Sequence, residues 1–324
     1  MQSFILAGGF ATRLWPLTEK RAKPLLPLAG KPLLTHLVEK VPADMNITVS
    51  TNGLFGDDMR NWAKTLDRKN IDILIEDAGH DDHKLGALGA IAAWINQNNI
   101  DDDILLIAGD NFISFDLQKF CRHYRGNPLL AAYDIKDLEL ARSFGTVILN
   151  DATASVDRTI KAFEEKPKNP QSTWVSTGCY ILPKNTFPTL LAFAKEHPDN
   201  IGGIFEEYLR KGLTVDCFLF SELWSDIGSF DSYLATHKAV VGTKHVIHPD
   251  TKIDADSQLK GSIAIGPKTT VRNSTLTDCI VFGNTTIDNC VLEDCIIDED
   301  CHLEGVDLSR KMLSRETVLQ ERRM

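Results

Sequence analysis

SFILAGGFATRLWPLTEKRAKPLLPLAGKPLL, residues 3–34, is the stretch on which the reading of this chain turns. It opens on SFILA (3–7), an apolar run with the length of a buried strand, and that run ends directly on Gly8 and Gly9. A glycine pair after a strand lets backbone N–H groups approach an anion with no Cβ in the way. Arg13 follows, then Lys20, Arg21, Lys23 and Lys31, so the first 31 residues set five cations against one acid, Glu19. The whole chain carries a formal net charge of -10, which disfavours non-specific contact with nucleic acid. A basic patch in an acidic chain suits a small polyanionic substrate.

Residues 1 to about 242 alternate short apolar runs with longer amphipathic ones, which predicts an α/β fold. NITVS (46–50), IDILI (71–75) and DILLIAG (103–109) read as strands. PLLTHLVEKV (32–41), GDDMRNWAKTLDR (56–68) and LGALGAIAAWINQ (85–97) read as helices. This order implies a parallel sheet with right-handed crossovers, whose ligands bind beyond the carboxyl ends of the strands. Gly8-Gly9 and Gly109-Asp110-Asn111 both fall at such ends. The next region is more mixed, with strand-like FGTVILN (144–150), TIKAFEE (159–165), WVSTGCYIL (174–182) and TVDCFLF (214–220). Helices are expected near 183–196 and 204–211, and a last one near 229–241 closes the domain.

From residue 247 the period changes. Ile247, Ile253, Leu259, Ile265 and Val271 recur every six residues, and Leu276, Val281, Ile287, Leu292, Ile297 and Leu303 continue the series at five or six. Residues 271–287 align with 287–303 as a 16-residue repeat that sets Asp278-Cys279 over Asp294-Cys295. Hexapeptide periodicity marks a parallel β-helix, each short side giving one inward apolar residue, here over roughly four coils. The expected division is 1–242, then 243–306 for the β-helix, then 307–324 as a C-terminal tail or capping helix.

Composition narrows the function classes. Hydrophobic residues make up 43% and charged residues 25%, enough apolar material for a sizeable core. No apolar run approaches the ~18 residues of a membrane span, and MQSFILAGGF has no signal-peptide pattern, so a cytoplasmic protein is expected. The seven cysteines (121, 179, 217, 279, 290, 295, 301) form no CxxC pair, which argues for reduced thiols. No HExxH, His cluster or GxSxG is present, and His36 and His123 read as ordinary helical residues.

Five further segments carry chemistry: IAGDN (107–111), LWSDIGSFDSY (223–233), FEEKPK (163–168), SFGTV (143–147) and KLGALGAI (84–91). Together with residues 6–34 they resemble the sugar-phosphate nucleotidyltransferase superfamily, which includes glucose-1-phosphate thymidylyltransferases and mannose-1-phosphate guanylyltransferases. One departure is Ala11, where many members have glycine before the Thr-Arg. The resemblance implies an α/β fold: a Rossmann-like, mixed-sheet nucleotidyltransferase domain followed by a short left-handed parallel β-helix.

Carried over position by position, the resemblance assigns nucleotide binding to Leu6, Ala7, Gly8, Gly9, Thr12, Arg13, Lys23 and Gly86, with Arg13 and Lys23 catalytic. Gly145, Glu165 and Lys166 would hold the sugar phosphate, and STGCYIL (176–182) matches a strand near the sugar. Asp110 and Asp226 would bind Mg²⁺, a hard cation that takes carboxylate and phosphate oxygens. The implied partners are a nucleoside triphosphate and a sugar 1-phosphate, without nucleic acid or membrane, in a homo-oligomer. The implied reaction makes an NDP-sugar and pyrophosphate, with thymidylyl or uridylyl transfer to glucose 1-phosphate first and mannose-1-phosphate guanylyl transfer as the alternative. Trp15 points toward guanylyl enzymes and KPLLP toward thymidylyl and uridylyl ones, so the base stays open. A non-catalytic relative on the same fold would lose the phosphate and metal residues first, and all five charged positions are present. An acyltransferase carried by the β-helix would need an inserted loop that the repeat lacks.

Overall fold

The computed structural model describes residues 1–76, 85–150 and 158–321. The chain divides into two compact units, Met1–Gly9 with Leu37–Trp224, and Phe10–His36 with Ser225–Met324.

The first unit is built on a nine-stranded sheet. Its strands are β1 (Gln2–Leu6), β2 (Ile47–Asn52), β3 (Ile71–Glu76), β4 (Ile104–Ala108), β5 (Leu129–Asp134), β6 (Gly145–Leu149), β7 (Arg158–Glu165), β8 (Trp174–Leu182) and β9 (Asp216–Phe220). They lie in the order β3-β2-β1-β4-β8-β5-β9-β7-β6. The β3, β2, β1 and β4 strands are mutually parallel. The β8 strand joins β4 antiparallel, so the sheet becomes mixed where the sequence does. Ile104, Leu105 and Leu106 are fully buried, and their unbroken apolar run is what a strand covered on both faces requires. Two helices, α1 (Ala87–Gln97) and α2 (Phe187–Glu196), supply Leu88, Ile91, Trp94 and Leu190 to the same core as Phe4, Leu106 and Tyr180. Among the described residues no helix is long and apolar enough to cross a membrane.

The second unit is a parallel β-helix with a loop, Phe10–His36, and a helix, α3 (Phe230–Val241), grouped with it. Its strands form three parallel sheets of five, five and four strands, which is four full coils and two sides of a fifth. Ile265, Val271, Leu276, Val281, Ile287, Leu292, Ile297 and Leu303 line the core, as the hexapeptide spacing predicts. From the second coil on, the backbone turns at three corners per coil through left-handed residues, including Lys268, Asn284, Asp300 and Glu316 at strict 16-residue intervals. Asn273, Asn289 and Gly305 mark a second corner, and Asp278, Asp294 and Arg310 a third. Asn, Asp and Gly tolerate that conformation best, so the repeat encodes its corners as well as its core. Cys279 and Cys295 are free thiols on adjacent coils, donating to Leu292 O and Leu308 O.

The C-terminal segment corrects one expectation. Residues 307–320 form no capping helix or loose tail. Asp307–Ser309 completes the fourth coil, and Met312–Leu313 and Val318–Gln320 pair in parallel with the coil before them. The hexad survives there as Leu308, Leu313 and Leu319, all packed against the core, but charged neighbours dilute it in the sequence.

Candidate functional site

In the first unit, three strand ends converge on the glycine pair. A Cβ on Gly8 would lie 3.0 Å from Glu76 Oε1 and 3.5 Å from the Asn52 backbone N, whereas one on Gly9 would meet nothing within 4 Å. The Asn52 amide donates to Gly8 O at 2.9 Å, and Ser50 Oγ donates to Glu76 Oε1 at 2.6 Å. Burial raises the Glu76 pKa above the ordinary carboxylate value, and the Ser50 bond opposes that shift. Ser50, Asn52 and Glu76 sit at the carboxyl ends of β2 and β3, where α/β sheets bind ligands, and none of the sequence motifs includes them. The available signal was an apolar strand ending in a polar side chain, in ITVSTN and IDILIE.

Asp110 follows β4 in the same crevice-forming position. Gly109 before it admits no side chain, since its Cβ would lie 2.6 Å from Leu6 O, to which its own N–H donates at 2.8 Å. The Asn111 amide donates to Asp110 Oδ1 at 2.8 Å.

The expected sugar-phosphate residues also come together. Glu165 ends β7, and its Oε2 would be 3.0 Å from a Cβ on Gly145 and 2.2 Å from one on Gly202. Two glycines therefore shape the slot that holds this carboxyl. The Glu165 N–H donates to Glu206 Oε1 at 3.1 Å. Burial raises the Glu165 pKa, Lys166 opposes the rise and Glu206 adds to it. Lys166 itself takes a left-handed φ of 45°, with its Nζ 3.8 Å from Glu165 Oε1. A lysine held there stores strain of about 1–3 kcal/mol.

Gly86 has a local reason for being glycine. Its φ is +75°, and a Cβ would lie 2.5 Å from the Pro198 carbonyl carbon and oxygen. That carbonyl accepts the N–H groups of Leu88 and Gly89 at 2.8 and 3.0 Å, capping the start of α1. The close approach at Gly86 is thus made by the chain's own backbone. Lys84, the first residue of that motif, lies outside the described residues.

In the second unit, residues far apart in sequence meet. Lys23 Nζ is 3.4 Å from Asp226 Oδ1, with the lysine side chain 7% exposed. Arg13 Nη2 and Asp226 Oδ2 lie 3.2 and 3.5 Å from the place a Gly228 Cβ would occupy. Two cations thus flank one carboxylate above a residue without a side chain. A capping box at Ser229 and Ser232 starts α3, and Ser232 Oγ also accepts the Gly228 N–H at 3.0 Å, which pins the Asp226–Gly228 turn. Thr12 and Arg13 lie in a one-turn helix, Thr12–Leu14, whose N-cap Ala11 is left-handed at φ 49°. The Thr18 hydroxyl donates to Ala11 O at 2.8 Å and holds this shape despite the Cβ. Arg21, one of the basic-patch cations, is committed elsewhere, to Asp298 and Glu299.

Among the described residues no group of three or more His, Cys, Asp or Glu is arranged to hold a metal by itself. Single carboxylates such as Asp110 and Asp226 fit a hard cation that takes most of its ligands from substrate phosphates and water.

A family model described as nucleotidyl transferase matches residues 2–242. A Streptomyces griseus glucose-1-phosphate thymidylyltransferase is 25% identical over 329 residues, spanning 97% of this chain and 87% of that protein. A Sulfolobus acidocaldarius protein, provisionally assigned as a mannose-1-phosphate guanyltransferase, is 28% identical over 282 residues, spanning 84% of this chain and 72% of its own length. In fold, the chain is similar to a Bacillus anthracis protein crystallised with sucrose and provisionally assigned as a glucose-1-phosphate thymidylyltransferase. The TM-score is 0.60 at 24% identity, over 74% of this chain and 94% of the other.

Proposed function

The chain belongs to the nucleotidyl transferase family, and on that premise we propose that it joins a nucleoside triphosphate to a sugar 1-phosphate, releasing pyrophosphate. The observation that carries this reading is the meeting of Arg13, Lys23 and Asp226 around Gly228. An arginine fork and a nearly buried lysine suit a polyphosphate, and a carboxylate between them suits its counter-cation.

The sugar phosphate is its own nucleophile. With a second pKa of about 6 it is largely dianionic at pH 7, so no general base is required. One of its oxygens bonds to the α-phosphorus in line as the bond from that phosphorus to the bridging oxygen breaks, and the electron pair leaves with pyrophosphate. The protein's task is to hold two anions together and to neutralise the charge of the departing one. Arg13 and Lys23 face the leaving pyrophosphate, Lys166 holds the nucleophilic phosphate, and Glu165 accepts from sugar hydroxyls. Asp110 and Asp226 would each offer a carboxylate to Mg²⁺, whose charge would further neutralise the phosphates.

The first-choice substrates are a thymidine or uridine triphosphate and glucose 1-phosphate, in line with the Streptomyces relative. Guanylyl transfer to mannose 1-phosphate is the second reading, and Glu76 favours it. When ionised, the carboxylate beside Gly8 only accepts hydrogen bonds, which matches the adjacent N–H donors of guanine better than the edge of thymine or uracil. Pyrophosphate release across four NTPs and several sugar 1-phosphates tests both. One pair should exceed the rest by at least tenfold, and silence across the grid from folded protein would overturn the enzymatic reading.

The raised Glu165 pKa makes a second expectation. A folded-state pKa above the ordinary value means the carboxylate is lost on acidification earlier than an ordinary glutamate would be. The KM for sugar phosphate should therefore rise as pH falls, starting above the ordinary glutamate range, while KM for NTP changes less. Substrate protonation acts in both proteins, so the comparison is with Glu165→Gln, which should have a higher KM with a flatter pH profile. Parallel profiles would remove Glu165 from the sugar site.

A further inference from the structure

The phosphate-binding loop has little structure of its own. Among the described residues, the backbone hydrogen bonds within 11–26 are turns of the i to i+3 kind, such as Leu14 to Ala11, Leu17 to Leu14 and Leu26 to Lys23. Regular structure between Phe10 and Leu26 is limited to the one-turn helices Thr12–Leu14 and Lys23–Leu25. Local turns shape a loop but do not aim it. Its placement rests on side chains, and Arg21 ties it to two carboxylates at once.

Arg21 Nη1 is 2.9 Å from Asp298 Oδ1 and Nη2 is 3.0 Å from Glu299 Oε2, so the two ends of the guanidinium fork hold two different carboxylates of the β-helix. The guanidinium carbon lies 5.0 Å from the centre of the Phe282 ring, one coil earlier. The Arg21 and Asp298 side chains are 16% and 5% exposed, which protects the pair from solvent screening. Asp298 Oδ1 also accepts the Glu299 N–H at 2.8 Å, so the receiving carboxylate is fixed by its own backbone. Arg315 braces the acidic side from the next coil, 2.7 Å from Asp300 and 3.7 Å from Glu299. A cavity of about 130 Å³ lined by Leu17, Lys20, Arg21, Asp298 and Arg315 lies beside the clamp.

We propose that Arg21 is a positioning residue: its clamp on Asp298 and Glu299 registers the loop so that Arg13 and Lys23 face the triphosphate. The β-helix is thereby a template for the catalytic loop. Lys23 is two residues along the chain from Arg21 and reaches Asp226 at the long distance of 3.4 Å, so a small shift of the loop would break that contact. Lysine at position 21 can reach one carboxylate but not hold two with a planar fork.

This inference rests on the reading of Arg13 and Lys23 as triphosphate ligands, and the test separates the two. Arg21→Ala, Arg21→Lys and Asp298→Asn are compared with the wild type by steady-state kinetics, by NTP binding in a calorimeter, and by amide hydrogen exchange of residues 11–26. Arg21→Ala should weaken NTP binding and lower kcat/KM for NTP by about 10- to 100-fold, leave the KM for sugar phosphate within about twofold, and raise exchange in the loop. Arg21→Lys should recover part of the loss, and Asp298→Asn should reproduce it at reduced size. Unchanged exchange in the loop, or equal losses toward both substrates, would overturn the positioning role. Faster exchange with NTP binding unchanged would also overturn it, because the clamp would then hold a loop that does not meet the triphosphate. A failure of the enzymatic reading shows separately, as a wild type that releases no pyrophosphate.

Discussion

Arg13→Ala is expected to lower kcat by about 10²- to 10³-fold, the usual effect of removing one donor that stabilises charge in the transition state. Its guanidinium lies against Gly228 and shares that space with Asp226, so the truncation removes one of the two cations that meet there. Charge builds on the leaving pyrophosphate as the bond to the α-phosphorus breaks, and the loss should therefore fall more on kcat than on the KM for NTP. Arg13→Lys should recover only part of the rate, because an ammonium supplies the charge without the fork. Steady-state rates of pyrophosphate release at saturating substrates check this. A rate within a few-fold of wild type for Arg13→Ala would remove the residue from the catalytic machinery.

Gly86→Ala is expected to be the most destabilising of the glycine substitutions near the site. The alanine must adopt φ near +75° with ψ near 157°, a region open essentially to glycine alone, which costs about 1–3 kcal/mol, and its Cβ must sit 2.5 Å from the Pro198 carbonyl group. The obstacle is backbone, and it cannot yield without losing its bonds to Leu88 and Gly89. A total of about 2–4 kcal/mol follows from strain and displacement together, which lowers Tm by roughly 5–15 °C in a unit of this size. Thermal unfolding followed by circular dichroism measures it, with Gly9→Ala as the control, since a Cβ at Gly9 meets nothing within 4 Å. Equal Tm values for the two variants would mean that the Pro198 segment gives way at no cost.

The two substitutions probe different kinds of information. The β-helix was legible because its period is local and repeated, and each coil buries the same positions, from Ile265 to Leu303. The sheet was legible because strands covered on both faces must be apolar runs, as in ILLIA at residues 104–108. The segment WVSTGCYIL at 174–182 matches its strand from end to end. The helix expected over 32–41 is shorter, Leu33–Val38. Its apolar spacing runs on to Val41, but Pro42 disfavours helical backbone in the residue before it. Lys40 and Val41 accordingly donate to Leu37 O and Val38 O, in turns of the i to i+3 kind.

The α/β class and the coil repeat are thus readable from the linear chain, because each depends on residue type and short-range spacing. Which charged groups lie together is visible in the folded chain alone. It showed that Arg21 belongs to Asp298 and Glu299, that Lys23 reaches Asp226, and that Glu76 and Asn52 close on Gly8. It also showed that Gly86 answers to Pro198. These partners lie far apart along the chain, and no periodicity links them. Their pairing follows from strand order and coil stacking, which bring distant positions within the few ångströms over which hydrogen bonds and steric exclusion act.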